Sequence, residues 1–328
     1  MLAALVAIAA GVAMLALFSN SSPHAPLPNP NGYDDFLKAA SLLGGDPGSY
    51  ETLGRDELRA LVATNAEVLR VLRLGLTRQC SVPTEEMITN YAVRISDLPK
   101  LKSLRHLLAA EGRLAEMEER PADAARSYVG LIQMGNEIGR GGLMINYLFS
   151  ISFAVLGDNS LVQLVPKLDC EQMRPVRSAL EKVDSTQVAW EQVVQDEGRF
   201  CLHELRKTLN PLQYATSWWQ NRTSRKIWLQ RRNNITARLR LLMAELALRC
   251  YRSEEGHPPT ALDQLVPRDL QRVPIDPFSG RPLIYQQRGT NWLLYSVGVD
   301  GVDDGGKPVG PSISGIITKG DLFFDSPK

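Results

Sequence analysis

The sequence predicts an α+β protein that is mostly helical, with an N-terminal membrane anchor, a helical bundle, and a long helix packed on a small antiparallel sheet. Three observations predict this fold class. The chain opens with an apolar run, continues with helical periodicity from Tyr33 to about Asn210, and ends with short β-type runs separated by turns. With 328 residues, the chain is long enough for two or three domains.

The composition is ordinary for a globular protein. Hydrophobic residues make up 44% of the chain and charged residues 22%, and the net charge is +1. Such a balanced charge gives no global field that would select nucleic acid, a membrane or an acidic substrate. Electrostatic arguments about function must therefore be local.

Residues 1–19 are predicted to be a transmembrane anchor or a signal peptide. No charged residue interrupts the apolar run from Leu2 to Phe18, which approaches the ~20 residues that a membrane span needs. A charged leading segment and an A-x-A cleavage site are absent, which favours the anchor. Residues 20–32 are rich in proline and serine and are predicted to be a stiff linker. We expect a single-pass inner-membrane protein with the bulk of the chain outside the cytoplasm.

Residues 33–210 are predicted to form a helical domain. The stretch "RDELRALVATNAEVLRVLRLGL" has Asp56 in its opening turn, where a carboxylate suits the helix dipole. Its apolar residues recur at helical spacing. They are Leu58, Leu61, Val62, Val68, Leu69 and Leu72.

Residues 100–134 are predicted to form a helical hairpin, with Pro99 and Pro121 near the starts of its two helices. Small residues should let these helices pack closely. They are Ala109, Ala110, Gly112, Ala124 and Ala125. The pattern resembles a tetratricopeptide hairpin, although it does not recur, and an ordinary hairpin in a bundle is favoured.

The stretch "GLMINYLFSISFAVLGD" is apolar on most faces but is interrupted by Asn146, Ser150 and Ser152. We expect a buried central helix here rather than a second membrane span.

Catalytic motifs are absent from the sequence. It contains no nucleophile elbow, phosphate-binding loop or dinucleotide fingerprint. His106 and His203 lie in helical segments without a second histidine four residues later, so each is predicted to be an ordinary core or surface histidine. The alternative is an exported hydrolase whose active site in the helical domain combines a carboxylate with His106 or His203.

The four cysteines lie far apart, at Cys80, Cys170, Cys201 and Cys250. Their spacing fits neither a zinc site nor a C-x-x-C redox motif. Four buried thiols are the simplest interpretation. Export would permit one or two disulfides, and four cysteines allow three full pairings.

The long helix after residue 210 carries a local excess of positive charge interleaved with Trp218, Trp219 and Trp228. Between Arg206 and Met243 there are nine basic residues and no acidic ones. Two interpretations fit: a solvated basic face that meets acidic residues of the helical domain, or a contact with an anionic membrane surface. Membrane contact would use Arg222, Arg225, Lys226, Arg231 and Arg232. Nucleic acid is the least favoured partner.

Two strands are predicted near the C-terminus, "PLIYQQ" and "NWLLYSVG", joined through "RGT". Gly280 and Gly289 occupy turn positions that suit a positive φ.

The residues around these strands follow an ordered series of motifs. Tyr251 is followed by Gly-His-Pro, "ALDQLV", "DPFSGRP", Tyr285, "YSVGVDG" and "GDLFF". In this order the motifs resemble those of the globular part of type II secretion major pseudopilins, over about residues 235–325. The resemblance implies a long helix packed on a small antiparallel sheet that is closed by a calcium loop.

Carried over by position, the resemblance implies Asp300 and Asp321 as carboxylate ligands, with the Val297 carbonyl as a backbone ligand. Asp303 and Asp304 fall in the same loop. Calcium takes six to eight oxygen ligands, and three aspartates so close in sequence would repel one another without a cation. A solvated Asp-Gly turn is the main alternative, and paired catalytic carboxylates are the least favoured one.

The sequence thus predicts an anchored extracytoplasmic binding or scaffold protein rather than an enzyme. Its partner would be an envelope protein, in the setting of secretion or pilus-like machinery. The chain lacks the basic leader and the Phe-Thr-Leu-Ile-Glu start of pseudopilins. We therefore take the resemblance to imply the fold of the module and its calcium site, but not polymerisation.

Overall fold

The computed structural model describes residues 26–89, 96–208, 211–308 and 319–325. These residues are mostly helical, with a two-stranded antiparallel sheet near the C-terminus, which confirms the mostly helical α+β class. The predicted anchor lies outside the described residues, as does the first part of the predicted linker. The helices are α1 (Gly32–Ser41), α2 (Arg55–Thr64), α3 (Ala66–Thr77), α4 (Thr84–Thr89), α5 (Asp97–Met117), α6 (Pro121–Gly139), α7 (Met144–Leu164), α8 (Cys170–Ser185), α9 (Trp190–Thr208) and α10 (Pro211–Glu255); the strands are β1 (Ile284–Arg288) and β2 (Asn291–Tyr295).

The helical run that begins at Arg55 is broken at Asn65, where α2 ends and α3 begins. Asn65 is completely buried, and its side-chain amide bonds both backbone groups of Gly44, at 2.8 and 2.9 Å. Asparagine side chains compete with the helical backbone for such partners. The apolar spacing continues across the break, so periodicity alone did not reveal it.

Helices α5 and α6 pack closely through small side chains, as expected for residues 100–134. A Cβ atom at Gly112 would lie 2.3 Å from the ring of Tyr128, so only glycine fits between the two helices without movement. The neighbouring alanines are also buried. They are Ala109, Ala110, Ala124 and Ala125.

Helices α6 and α7 pack closely as well. A Cβ atom at Gly157 would lie 2.6 Å from the Tyr128 carbonyl oxygen, and one at Gly135 would lie 2.9 Å from that of Ser150. Phe153 of α7 is completely buried. Within the described residues, the helical stretch Met144–Lys167 is the one long and apolar enough to cross a membrane by length and composition.

A disulfide between Cys170 and Cys250 joins the start of α8 to the last turns of α10. The Cα atoms of the two residues are 5.0 Å apart. Cys80 is buried and takes no part in a disulfide. The interpretation of all four cysteines as buried thiols is therefore wrong for this pair.

Strands β1 and β2 form a hairpin that closes between Arg288 and Asn291. Gly280 and Gly289 have φ angles of +68° and +62°, which confirms the expectation for both. Helix α10 packs against β2, and the indole N–H of Trp292 donates to Glu245 at 2.9 Å. The buried core is continuous from α1 to the C-terminal residues beside β2.

Candidate functional site

The aspartate loop, residues 297–308 together with 319–321, is held closed by pairing at the end of β2. Ser296 and Leu322 exchange backbone hydrogen bonds of 2.9 and 2.8 Å, which brings Asp321 beside the loop. Gly298 has a φ of +71°, and a Cβ atom there would lie 2.2 Å from the Gly320 carbonyl oxygen. Glycine is therefore required where the two segments meet.

Asp321 lies at the centre of this loop with no exposed surface. Its carboxylate accepts backbone N–H bonds from Gly306 at 2.7 Å, Lys307 at 3.1 Å and Asp304 at 3.3 Å. Burial raises the pKa of Asp321 above its ordinary value, and the three N–H donors oppose that shift. A buried carboxylate with a raised pKa is a group that a cation would stabilise.

Asp300 and Asp303 are exposed, and the carboxylates of both accept hydrogen bonds from neighbouring groups. Asp303 accepts hydrogen bonds from the Tyr295 hydroxyl and the Gly305 N–H, each at 2.9 Å. Burial and this hydrogen bond raise the pKa of Tyr295 to about 12. Asp300 accepts the Val302 N–H at 3.2 Å, which is the geometry of a local turn.

One oxygen of the loop has no donor among the residues that the structure describes. Asp304 Oδ2 is buried and finds no hydrogen-bond partner there, whereas buried carboxylate oxygens are usually paired. Across the part of the chain that the structure describes, no group of three or more His, Cys, Asp or Glu side chains is arranged to hold a metal ion. The Asp304 oxygen and buried Asp321 suit a cation, while Asp300 accepts a backbone N–H and Asp303 accepts a backbone N–H and the Tyr295 hydroxyl.

A second buried carboxylate, Asp276, accepts a hydrogen bond from the Val297 N–H at the base of the loop. Asp276 has no exposed surface and accepts three hydrogen bonds, from the Phe278 N–H, the Ser296 hydroxyl and the Val297 N–H, between 2.9 and 3.0 Å. Sequence reasoning assigned Asp276 no role beyond its place in "DPFSGRP". The Asp-Pro turn itself was the available signal, because aspartates there bond to the backbone two residues on.

The basic stretch of α10 divides into internal and exposed residues. Arg238 pairs with Asp158 of α7 at 2.7 Å, and Arg240 pairs with Asp184 of α8 at 2.8 Å. These pairs confirm that part of the basic excess meets acidic residues of the helical domain.

Toward the N-terminus of α10 the described basic residues are differently placed. Lys226 and Arg231 are exposed, and the Arg231 guanidinium lies 4.5 Å from the ring centre of Trp228. Arg232 turns inward and donates to the Val188 carbonyl at 3.3 Å. The side chains of Arg222, Arg225, Trp218 and Trp219 lie outside the described residues.

A narrow cleft opens between α6, α7, α10 and the segment that follows α8. It encloses a cavity of only about 70 Å³, and its walls are mostly apolar. Polar side chains at its surface include Asn136, Tyr147, Gln187, Arg232 and Thr236. Its described lining contains no histidine.

His106 does not form a catalytic pair with a carboxylate in the described residues. Its ring nitrogen lies 3.0 Å from an Arg105 nitrogen, and its ring is 5.9 Å from that of Tyr50. Burial lowers the pKa of His106, and Arg105 and Lys102 lower it further. His203 is half-buried on α9. The hydrolase alternative gains no support from either residue.

Comparisons with family models, curated proteins and solved structures find no match to this chain.

Proposed function

We propose that this chain is an anchored extracytoplasmic binding or scaffold protein whose C-terminal module is pseudopilin-like and is stabilised by calcium. Residues 1–19 would provide a single span of the inner membrane. The helical domain and the module would lie outside the cytoplasm and bind an envelope protein, in the setting of secretion or pilus-like machinery.

The disulfide between Cys170 and Cys250 is the observation that carries this proposal. Disulfides persist in oxidising compartments such as the periplasm and are rare in the cytosol. This one fastens the helical domain to α10, the helix on which the hairpin packs. A fixed relation between the two parts suits a scaffold, because a binding surface that spans both would keep its shape.

The aspartate loop is the part of the molecule that would bind calcium. Asp304 Oδ2 has no donor within the described part of the chain, and Asp321 is buried with a raised pKa. Calcium accepts carboxylate and carbonyl oxygens in irregular geometry, so Asp304 and Asp321 are the side chains that would hold it, with Asp300, Asp303 and the Val297 carbonyl as further candidates. The ion would stabilise the loop and has no catalytic role.

Contact with the membrane surface is proposed for Lys226 and Arg231, which are both exposed; Arg231 also stacks on Trp228. Basic side chains near an anionic surface contribute about 1 kcal/mol each. Arg222 and Arg225, whose side chains lie outside the described residues, belong to the proposed contact by sequence alone, whereas Arg232 faces the cleft.

The compartment can be tested by tagging thiols in intact cells. Cells expressing the full chain are quenched with acid, denatured, and treated with a mass-tagged maleimide before or after reduction. We expect reduction to expose two additional thiols, and Cys170→Ser or Cys250→Ser to abolish that gain. Cys80→Ser is the matched control and should keep the gain of two.

Tagging of every cysteine without reduction would place the chain in a reducing compartment and overturn the proposal. In the same membranes, chemical crosslinking should join the full chain to an envelope protein. Recovery of the chain alone from crosslinked membranes would contradict the scaffold role.

A further inference from the structure

The edge of β2 that faces away from β1 is paired at one end. Just past the hairpin, Ser296 exchanges two backbone hydrogen bonds with Leu322 across this edge. Backbone groups of alternate residues in an antiparallel strand point to the same edge. The N–H and C=O groups of Leu294 and Trp292 therefore point to the same side as those of Ser296.

The pairing stops after Leu322 because the chain leaves the strand. It turns at Phe324 and Asp325, and the Phe324 carbonyl accepts an N–H of Arg238 on α10 at 3.3 Å instead of an N–H of β2. Within the described residues, no backbone group pairs with this edge at Leu294 or Trp292. This part of β2 is an open strand edge.

A groove of about 290 Å³ lies along the open edge. Its lining includes the four consecutive residues 291–294, whose side chains alternate between the two faces of the hairpin. The groove therefore runs against the strand edge and not over one face. Its volume is close to the lower end of the range for ligand clefts, roughly 300–1,000 Å³. We call it the edge groove.

Helix α10 contributes charged side chains to the edge groove. Glu245 is buried and fully engaged, because it accepts hydrogen bonds from Arg249 at 2.7 Å and from the Trp292 indole at 2.9 Å. Arg252 lies 4.9 Å from the ring centre of Trp292 and forms no ion pair with any described residue. One arginine at the Trp292 end is thus available to a carboxylate.

Asp325 also lines the edge groove, toward its other end. It follows Phe324, whose carbonyl is held by Arg238, and Arg238 precedes Arg252 by about 21 Å along α10. The negative charge of Asp325 is therefore separated from Arg252. Between the two ends the lining is apolar, with Leu294, Phe323 and Phe324 among its side chains.

We propose that an extended segment of a partner protein adds to the open edge of β2 as a further strand. An aliphatic or aromatic side chain of the segment fills the edge groove, and a neighbouring carboxylate binds Arg252. The backbone of Trp292 and Leu294 supplies the hydrogen bonds of the added strand, and the guanidinium supplies a charge-assisted one. The inference names the chemistry of the partner in the binding role proposed above and rests on that role, but it requires no calcium.

Selection of short random peptides on the full chain in zwitterionic nanodiscs tests the proposal, with empty nanodiscs for counter-selection. We expect the enriched peptides to share an aspartate or glutamate beside an aliphatic or aromatic residue. Arg252→Glu reverses the charge in the groove and should select lysine or arginine at the acidic position. Arg281→Glu changes an exposed arginine outside the groove and is the matched control; it should select the original acidic peptides.

A selected peptide, labelled and followed by fluorescence anisotropy, then tests the added strand without altering the protein. In an added strand, alternate peptide N–H groups face β2 and the others face solvent. N-methylation of the facing set should weaken binding about tenfold or more, and N-methylation of the other set should leave it unchanged. Arg252→Gln should weaken the acidic peptide about tenfold or more and leave its asparagine or glutamine analogue unchanged.

An equal loss for both N-methylated sets would overturn the added strand, and the same acidic peptides from Arg252→Glu would overturn the role of the arginine. Binding that appears only after removal of residues 326–328 would mean that the C-terminus of this chain occupies the edge groove, which also overturns the proposal. Absence of any enriched peptide, while crosslinking still joins the chain to an envelope protein, would exclude this groove and leave the proposed binding role standing.

Discussion

The helical domain and the C-terminal module are held together by different kinds of contact. In the helical domain, leucine, alanine and glycine side chains bring helices into close packing, as at Gly112 and Gly157. In the module, two completely buried carboxylates, Asp276 and Asp321, accept six hydrogen bonds, and five of the donors are backbone N–H groups.

This difference predicts different sensitivities. Apolar packing fails when a cavity is created and depends little on pH. Buried carboxylates are sensitive to the loss of their hydrogen-bond donors, to pH where the folded-state pKa is shifted, and to cations. The disulfide between Cys170 and Cys250 couples the two regions, so its loss should affect both.

Removal of the disulfide should have the largest effect. Cys170 and Cys250 are 80 residues apart in sequence, and closing a loop of that length lowers the entropy of the unfolded chain by an amount worth about 4 kcal/mol. The double variant Cys170→Ser/Cys250→Ser should lose about this much free energy of unfolding in urea. Reductant should destabilise the unsubstituted chain and leave the double variant unaffected. Equal free energies of unfolding for the two proteins would show that the disulfide does not stabilise the fold.

A cavity in the helical domain should come next. Leu104 of α5 is completely buried, and Leu104→Ala should cost about 3 kcal/mol at every pH. Leu74→Ala, at a position 37% exposed, is the matched control and should cost much less. Urea unfolding at pH 5 and pH 7 measures both, and a strong pH dependence for Leu104→Ala would break the contrast between the regions.

Loss of the buried charge at Asp276 should cost about 2 kcal/mol, because Asp276→Asn turns an amide NH₂ toward a backbone N–H or the Ser296 hydroxyl. Asp263→Asn changes an exposed aspartate of the same module and should be nearly neutral. Urea unfolding of the two variants measures the difference. If the two variants prove equally stable, the hydrogen bonds to Asp276 contribute nothing to the free energy of unfolding.

The smallest effect concerns the pH dependence that Asp321 contributes. Its folded-state pKa is raised by burial, so the folded protein holds this proton more tightly than the unfolded chain. In calcium-free buffer, the stability that Asp321 contributes should therefore fall as the pH rises from the ordinary aspartate pKa through the raised value.

Comparison with the Asp321→Asn variant isolates the contribution of Asp321 to the pH dependence of stability. The difference in free energy of unfolding between the unsubstituted chain and the variant, measured in urea from about pH 4 to pH 7, should decrease with pH. A difference that increases with pH would mean that the N–H donors outweigh burial and lower the folded-state pKa.

The same contrast explains how far the sequence could predict the structure. Periodicity found the helices, the small residues of α5 and α6 predicted their close packing, and glycine predicted the hairpin turns. The break at Asn65 was missed because its cause is a contact with Gly44, distant in sequence.

The module was harder to predict because its contacts join side chains to backbone groups far along the chain. Asp300, Asp303 and Asp304 were found by their spacing, and Asp321 by the resemblance to pseudopilins. The N–H donors to Asp321, and those to Asp276, depend on how two distant segments meet. The inward position of Arg232 beside exposed Arg231 also follows from the tertiary packing of α10, not from the run of basic residues.

Thermal unfolding of the full chain with calcium, with magnesium and with chelator tests the central claim most directly. A bound ion stabilises the folded state by about 2.7 kcal/mol at a hundredfold excess over its dissociation constant. We predict a rise in melting temperature with calcium alone, lost in Asp304→Asn and Asp321→Asn and kept in Asp263→Asn. An identical melting temperature in calcium and chelator would show that hydrogen bonds alone close the aspartate loop, and would contradict the calcium-stabilised module.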